Sequence, residues 1–367
     1  MPQFSVSPAL RSWAEVAPDA LRHNLAAIRK AVGPKPGILA VVKANAYGHG
    51  TAQVAKALAH DVAIFGVANL SEAEAVLAAE TGRPVMLLSP CLPEEREAAV
   101  SAGLIVTISS ADEAEGYAAC GKAVVNFKLD TGMGRVGYGG ESASNEIARI
   151  AGRVAIHSLS THLPCSDEDE PFTRNQLEGF AQTVAGLRRL VPGAKIHSLN
   201  SAGILRFPEH ADDIVRAGLL LYGYSPLPEF RKYFRPALTW KTRVTLVKEL
   251  PAGAGVCYGR TFITSRPTRV AVLAVGYADG FPRQASGKGA CVLIRETRCP
   301  LIGRVTMDQI VVDVTGAGDI RLGEEAVVLG NQGREAITAE DLATQADTIP
   351  WDILTGIKGR VARIYPD

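Results

Sequence analysis

The first two-thirds of the chain alternates short apolar runs with segments of helical periodicity, and this alternation restricts the fold more than any other feature. The runs are GILAVV, VAIFGVA, PVMLLS, IVTIS, VVNFKLD, IHSLSTH, AKIHSLN and RAGLLLYG. Helical patterns separate them, and after VAIFGVA the pair Ser71 and Glu74 predicts a capping box at a helix start. Sustained strand–helix alternation is typical of a parallel sheet with helical crossovers.

The count of about eight such units favours a closed (β/α)8 TIM barrel over an open doubly wound sheet. The glycine fingerprint of a dinucleotide-binding fold, which would follow the first strand, is not found there. After FRPALTW the pattern changes to short strands separated by Gly, Pro and Asp, which indicates a mostly-β domain. We therefore predict a barrel over residues 10–235 and a β-rich domain over residues 236–367, which the N-terminal strand in residues 1–16 joins.

Charge and composition exclude several classes of function. The net charge is +1 and the sequence pI is about 7.6, so nothing favours binding to nucleic acid or to an anionic membrane. No apolar run approaches the length of a membrane span, and the start of the chain lacks the basic and apolar regions of a secretory signal. The six cysteines form no C-x-x-C pair, so we expect reduced thiols, no metal site and a cytoplasmic location.

Polar residues end many of the apolar runs, at the point where a barrel carries its active face. They are Lys43, Tyr47, Lys128, Asp130, Arg135, His162, His197, Asn200, Ser201 and Arg216. Each has a structural explanation when taken alone: a solvated lysine, a hydrogen-bonded histidine, or an arginine paired with a nearby aspartate. Those pairs would be Arg135 with Asp130, and Arg216 with Asp212 or Asp213. Their joint placement at one mouth favours a function.

The combination indicates a particular chemistry. A lysine at the bottom of an apolar site loses proton affinity, because desolvation disfavours its charged form. The neutral amine is the nucleophile that forms a Schiff base with an aldehyde, and pyridoxal 5'-phosphate (PLP) is the commonest such partner. The small residues of NSAG at 200–203 and AGLL at 217–220 let the backbone approach a phosphate, and barrel phosphate sites favour the last strands.

The motifs resemble those of the alanine racemase family, PLP enzymes of fold-type III. The matching segments are AVVKANAYGHG, KLDTGMGRVG, THL, HSLNSAGILRFP, RAGLLLYG, VCYGRTF, VGYADGFPR and GRVTMDQIVVDV. They occur in the family's order along nearly the whole chain. The resemblance implies a PLP-binding barrel followed by a β domain. It also implies interconversion of L-alanine and D-alanine, which supplies D-alanine for peptidoglycan or degrades it.

The resemblance assigns the two catalytic bases. Lys43 matches the lysine that binds PLP covalently and then acts as the base on the D-isomer. Tyr258 matches the tyrosine that acts on the L-isomer. In the family this tyrosine reaches the site from the partner subunit, so the resemblance implies a homodimer.

The remaining roles also follow from the resemblance. Arg216 matches an arginine that faces the pyridine nitrogen, with His197 behind it, and His162 matches a histidine beside the ring. Lys128 matches a lysine that is carbamylated in many members and that holds Arg135 near the substrate carboxylate. The phosphate contacts are Tyr47, Ser201, Gly218 and Leu219, with Asn200 in the same motif, and the substrate side is completed by Met307, Asp308 and Tyr277.

Three alternatives remain at this level. A serine or broad-specificity racemase would use the same mechanism, because pockets for small side chains discriminate weakly. A PLP carrier without turnover would lack a β domain that holds a second base. A decarboxylase of the same fold type would be expected to place an acid, rather than Arg216, at the ring nitrogen.

Overall fold

The computed structural model describes residues 10–150 and 152–366, which divide into two compact units. One unit contains Asp19–Ala46 and Gly50–Arg235. The other contains the chain up to Pro18, the short segment Tyr47–His49 and everything from Pro236 onwards. Residues 1–9 of the predicted N-terminal strand region lie outside the described residues.

The first strand of the chain, β1 (Ser12–Val16), belongs to the β-rich unit, and the next eight form the barrel. These are β2 (Gly37–Val41), β3 (Ile64–Val67), β4 (Val85–Leu87), β5 (Ile105–Ile108), β6 (Val124–Lys128), β7 (Ala155–Ser160), β8 (Lys195–His197) and β9 (Ile214–Ala217). They run parallel in the order β8-β7-β6-β5-β4-β3-β2-β9. The two ends meet, because Asp213 N donates to Ile196 O at 3.1 Å and Arg216 N donates to Leu199 O at 3.0 Å. The predicted (β/α)8 barrel is confirmed.

Helices alternate with these strands. They are α1 (Pro18–Val32), α2 (Thr51–Leu58), α3 (Leu70–Leu77), α4 (Arg96–Ser101), α5 (Ala111–Ala118), α6 (Gly140–Ile150), α7 (Glu170–Leu187) and α8 (Ser201–Arg206). The predicted capping box at Ser71 and Glu74 was wrong. Asn69 is the N-cap of α3, and its Oδ1 accepts from Glu72 N at 3.0 Å, so Ser71 already lies inside the first turn. None of the described helices combines the length and apolar character that crossing a membrane requires.

The place of the eighth outer helix is taken by α1, which precedes the first barrel strand. After β9 the chain forms short 3₁₀ turns at Leu219–Tyr222 and Pro228–Tyr233. The fully buried Asn24 of α1 donates to Leu221 O at 3.0 Å and to Arg235 O at 2.8 Å, and it accepts from Arg235 N at 2.8 Å. One side chain therefore ties α1 to the segment that follows the last strand.

The second unit is built on the strands β10 (Leu238–Leu250), β11 (Gly255–Val256), β12 (Phe262–Ile263), β13 (Thr268–Leu273), β14 (Cys291–Ile294), β15 (Thr297–Pro300), β16 (Ile310–Asp313), β17 (Glu325–Gln332), β18 (Glu335–Ile337) and β19 (Ala362–Ile364). The long β10 pairs with β1, β13 and β17, all antiparallel. Two helices, α9 (Ala339–Ala346) and α10 (Pro350–Gly356), were missed by the sequence analysis. The signal for α9 was present in the capping box of Thr338 and Asp341.

Candidate active site

Lys43 follows β2 at its C-terminal end and begins an unusual turn. The four residues Ala44–Tyr47 have φ of 51–53°, which makes one left-handed turn of non-glycine residues. This conformation costs roughly 1–2 kcal/mol per residue. The turn is held by its surroundings: Glu72 accepts from Ala44 N at 2.7 Å, and Asn45 Oδ1 accepts from Thr51 N at 3.1 Å. Strain of this kind is concentrated at functional sites.

Gly48, directly after this turn, tolerates no side chain. Its φ is +83°, and a Cβ there would lie 2.2 Å from Leu354 O. We expect Gly48→Ala to lower the free energy of unfolding by roughly 2–4 kcal/mol, because backbone strain and a backbone clash add. Urea denaturation would measure it. The matched control is Gly253→Ala, which has the same φ of +83° and open space around its Cβ. Equal losses in the two variants would show that the clash contributes nothing.

Several basic side chains meet at this end of the barrel, and their positive charges lower the proton affinity of the lysines and histidines among them. They are Lys43, Lys128, His162, His197 and Arg216, with Arg135 in the loop after β6. Burial lowers the pKa of Lys43, and the charge of Arg135 lowers it further. Burial, followed by the charges of Arg216 and Arg135, lowers the pKa of Lys128 well below its usual value. The excess of positive charge suits an anionic ligand, and the lowered pKa of Lys43 favours the neutral amine that a nucleophile needs.

Arg216 is almost completely buried, and its guanidinium is surrounded by neutral acceptors. Nη1 donates to His197 Nδ1 at 2.8 Å and to His197 O at 3.1 Å. Nη2 donates to Thr161 O at 2.8 Å, to Ser198 O at 2.7 Å and to His162 Nδ1 at 3.2 Å. Burial lowers the pKa of Arg216 to about 10, so the group stays charged at neutral pH.

The alternative in which Arg216 pairs with a neighbouring aspartate was wrong. Asp213 accepts from Ile196 N at 2.8 Å and so helps to close the barrel instead. The two histidines beside Arg216 are neutral acceptors. The pKa of both His162 and His197 lies well below the usual value. Burial is the largest cause, and the charge of Arg216 is the second.

The segments after β8 and β9 are joined by a buried serine. Ser201 Oγ accepts from Gly218 N at 3.1 Å and from Leu220 N at 3.5 Å, and Leu219 lies between them. Asn200 Oδ1 accepts from Gly203 N at 3.0 Å, which fixes the start of α8. Hydroxyl and backbone N–H groups are therefore concentrated beside the basic cluster. This arrangement fits the phosphate of PLP, while Lys43 fits its aldehyde.

The loop that carries Arg135 is organised by Asp130. Its Oδ1 accepts from the backbone N of Gly132 and Met133, each at 2.9 Å, and of Gly134 at 3.1 Å. Burial raises the pKa of Asp130, but these N–H donors outweigh burial and hold the pKa below its usual value. Asp130 therefore stabilises the turn that leads to Arg135. The charge of Arg135 in turn lowers the pKa of Lys43.

The other predicted site residues belong to the β-rich unit. Tyr47 is buried, which raises its pKa to about 12. Tyr277 N donates to Thr306 O at 3.1 Å, and Ala278 N donates to Met307 O at 2.9 Å, so the Tyr277 and Met307 segments lie together. Met307 is 53% exposed and Tyr258 is 69% exposed.

Asp308 is fixed by a bridge within the β-rich unit. Arg360 contacts Asp308 Oδ1 and Asp279 Oδ1, each at 2.9 Å. Asp279 Oδ2 in turn accepts from Gly276 N at 2.8 Å. The bridge therefore connects the backbone before Tyr277 to the residue after Met307.

Two contributors were missed by the sequence analysis. Gln176 of α7 is buried, and its Nε2 donates to Thr131 Oγ1 at 3.0 Å and to His162 O at 2.9 Å. A polar side chain on the buried face of a helix was the available signal. Thr161 acts through its backbone carbonyl, which accepts from both Lys128 Nζ and Arg216. No property of a side chain indicates such a role.

Two models of one protein family together match nearly the whole chain. The family model "Alanine racemase, N-terminal domain" matches residues 16–226, and the family model "Alanine racemase, C-terminal domain" matches residues 237–365. An alanine racemase of Methylacidiphilum infernorum is 39% identical over 99% of this chain and 95% of its own length.

Solved structures give the same result. Alanine racemase of Clostridium difficile 630 aligns with a TM-score of 0.93 and 31% identity, over 98% of this chain and 97% of its own. Alanine racemase of Bartonella henselae, solved with covalently bound pyridoxal phosphate, aligns with a TM-score of 0.86 and 27% identity. That alignment covers 98% of this chain and 100% of the other.

Proposed function

The chain belongs to the alanine racemase family, and we propose that Lys43 and Tyr258 are the two bases with which it interconverts L-alanine and D-alanine. The family is a family of PLP-dependent isomerases. The observation that best supports the proposed site is the partly buried basic cluster at the mouth of the barrel, where burial and the charge of Arg135 lower the pKa of Lys43. The roles that we propose for the other residues rest on this geometry together with the family resemblance.

We propose that PLP binds at this mouth. Lys43 would hold its aldehyde, and Ser201, Gly218, Leu219 and Tyr47 would hold its phosphate, with Asn200 positioning that segment. The alanine racemase of Bartonella henselae, solved with covalently bound pyridoxal phosphate, supports the same cofactor. When bound, PLP draws electrons away from the α-carbon of the amino acid and so allows the α-proton to leave.

Arg216 would face the pyridine nitrogen, with His197 behind it and His162 beside the ring. Guanidinium essentially never releases its proton, so Arg216 would leave that nitrogen unprotonated and restrict the electron demand on the ring. This restriction favours return of the α-proton over side reactions such as transamination. The buried, all-neutral set of acceptors around Arg216 supports the role, because it leaves the positive charge uncompensated.

The two bases would act on opposite faces of the α-carbon. For the D-isomer, Lys43 would take the α-proton from one face and Tyr258 would deliver a proton to the opposite face; for the L-isomer the two roles would be exchanged. Tyr258 is 69% exposed in the single chain, as expected of a side chain that enters the active site of a second subunit. We therefore propose a homodimer in which Tyr258 completes the site of the partner subunit.

The substrate side of the site would be formed by Arg135, Met307, Asp308 and Tyr277. Arg135 would lie near the carboxylate of the substrate. Lys128 would hold Arg135 in place after carbamylation. Carbamylation needs a neutral amine to attack carbon dioxide, and burial with the charges of Arg216 and Arg135 lowers the pKa of Lys128 accordingly.

A chiral assay tests the function directly. Purified protein with PLP should convert L-alanine into an equal mixture of isomers. L-serine should react roughly 10–100-fold more slowly in kcat/KM, because a small pocket rejects an added hydroxyl only weakly. Chiral chromatography of both reactions over time would measure the D-isomer. Equal rates for the two amino acids would favour the broad-specificity alternative, and no D-alanine would refute the function.

A further inference from the structure

A continuous chain of hydrogen bonds leads from Arg216 around the interior of the barrel. Each member lies on the next strand of the sheet, in the order β9, β8, β7, β6, β5 and β4. The links are Arg216 Nη1 to His197 Nδ1 (2.8 Å), His197 Nε2 to Ser158 Oγ (3.2 Å), Ser158 Oγ to Asn126 Oδ1 (2.9 Å), Asn126 Nδ2 to Thr107 Oγ1 (3.0 Å) and Thr107 Oγ1 to Leu87 O (2.6 Å). All these residues are buried. We call this chain the relay.

The far end of the relay determines the direction of every bond in it. The carbonyl of Leu87 can only accept, so the single hydroxyl proton of Thr107 is donated to it. Thr107 Oγ1 must then accept from the NH₂ group of Asn126. This turns the amide oxygen of Asn126 towards Ser158, and that oxygen can only accept.

The donor and acceptor roles of the bonds that reach the active site are determined in the same way. Ser158 has one proton and donates it to Asn126, so its oxygen must accept from His197 Nε2–H. The neutral ring of His197 carries its proton on Nε2 and a lone pair on Nδ1. That lone pair faces Arg216, which can only donate. The carbonyl of Leu87 can only accept and the guanidinium of Arg216 can only donate, and both ends of the relay therefore require the Nε2–H tautomer of His197.

One branch leaves the relay at Ser158. His157 Nδ1 lies 3.1 Å from Ser158 Oγ, and it must donate because the serine proton is already committed to Asn126. His157 lines a cavity at the N-terminal end of the barrel strands. The charged residues that line this cavity are Lys35, Lys195, Asp212 and Asp213. Protonation of His157 would occur at its other nitrogen, so it would leave the direction of the relay unchanged.

We propose that Ser158, Asn126 and Thr107 are positioning residues for Arg216, which hold His197 in the Nε2–H tautomer. With the other tautomer, two N–H groups would face each other and displace the guanidinium. The consequence for catalysis rests on the proposed place of Arg216 at the pyridine nitrogen. The tautomer itself follows from the relay alone.

The test combines ring-nitrogen NMR of the histidines with kinetics, on full-length protein loaded with PLP. His197 is assigned by the loss of its signals in His197→Gln. In the wild type its Nε2 should be protonated and its Nδ1 unprotonated. Ser158→Ala should mix the two tautomers and lower kcat about tenfold, with KM for alanine within about twofold. Ser158→Thr, which keeps a hydroxyl, should restore both properties.

Ser160→Ala is the matched control. Ser160 lies on the same strand and is equally buried, but its Oγ has no hydrogen-bond partner among the described residues. It should change neither readout. Thr107→Val preserves shape at the far end and should produce a weaker shift of the same kind, which tests the relay even if Ser158→Ala folds poorly.

Unchanged His197 shifts in both Ser158→Ala and Thr107→Val would overturn the proposal, and so would an Nδ1–H ring in the wild type. A mixed tautomer with unchanged kcat would overturn the positioning role. A wild type inactive on alanine would refute the proposed function instead, because the NMR readout does not depend on turnover.

Discussion

Replacing Lys43 by alanine should abolish racemisation and prevent covalent attachment of PLP. Lys43 is the lysine whose pKa is lowered at the mouth of the barrel, and it would serve both as anchor and as base. Because both roles are lost together, we expect kcat for either isomer of alanine to fall by at least about 10⁴-fold. Chiral chromatography would measure activity. Borohydride reduction of the PLP-loaded protein, followed by peptide mass spectrometry, would locate the attached cofactor.

Lys56 provides the control for this experiment, because it is an exposed lysine on α2 close to Lys43 in the sequence. Lys56→Ala should retain wild-type activity and the label. In the wild type the label should lie on Lys43 and not on Lys128, although burial also lowers the pKa of Lys128. A label on Lys128 in the wild type, or activity retained without Lys43, would contradict the proposed anchor.

The barrel could be predicted because its signal is repeated along the chain. Each buried parallel strand is an apolar run, and the polar residue that ends the run marks the C-terminal face. Lys43, His162 and Arg216 were predicted to share a mouth on this ground alone, and the charges of Arg216 and Lys43 both lie close enough to His162 to lower its pKa. The roles of Tyr258 and Met307 came only from the resemblance, since an exposed residue in a loop has no periodicity.

Other parts of the site follow from contacts that no local pattern indicates. The left-handed turn after Lys43 runs through Ala44, Asn45 and Ala46, which have no common preference for positive φ. One of the hydrogen bonds that hold it is accepted by Glu72, a residue of α3 that is distant in the sequence. In the same way, the tautomer of His197 depends on a carbonyl four strands away, so it requires the three-dimensional arrangement of the whole barrel.

Replacing Tyr258 by phenylalanine should remove the second base while preserving the ring. We expect kcat to fall by about 10²–10⁴-fold in both directions, because every turnover needs a proton on each face. The covalent PLP label on Lys43 should remain, which separates this variant from Lys43→Ala. Tyr233→Phe, at another exposed tyrosine, is the control and should retain wild-type activity.

Mixing the two inactive variants tests where Tyr258 acts. In a hybrid dimer of Lys43→Ala and Tyr258→Phe subunits, one site would carry both defects and the other would be intact if Tyr258 acts across the interface. Random exchange makes half of the dimers hybrid, so activity should recover to about a quarter of the wild-type value. If the two bases belonged to one chain, every site in every hybrid would lack one of them. Absence of recovery, with subunit exchange verified by differently tagged chains, would therefore place Tyr258 in the same subunit as the Lys43 it serves.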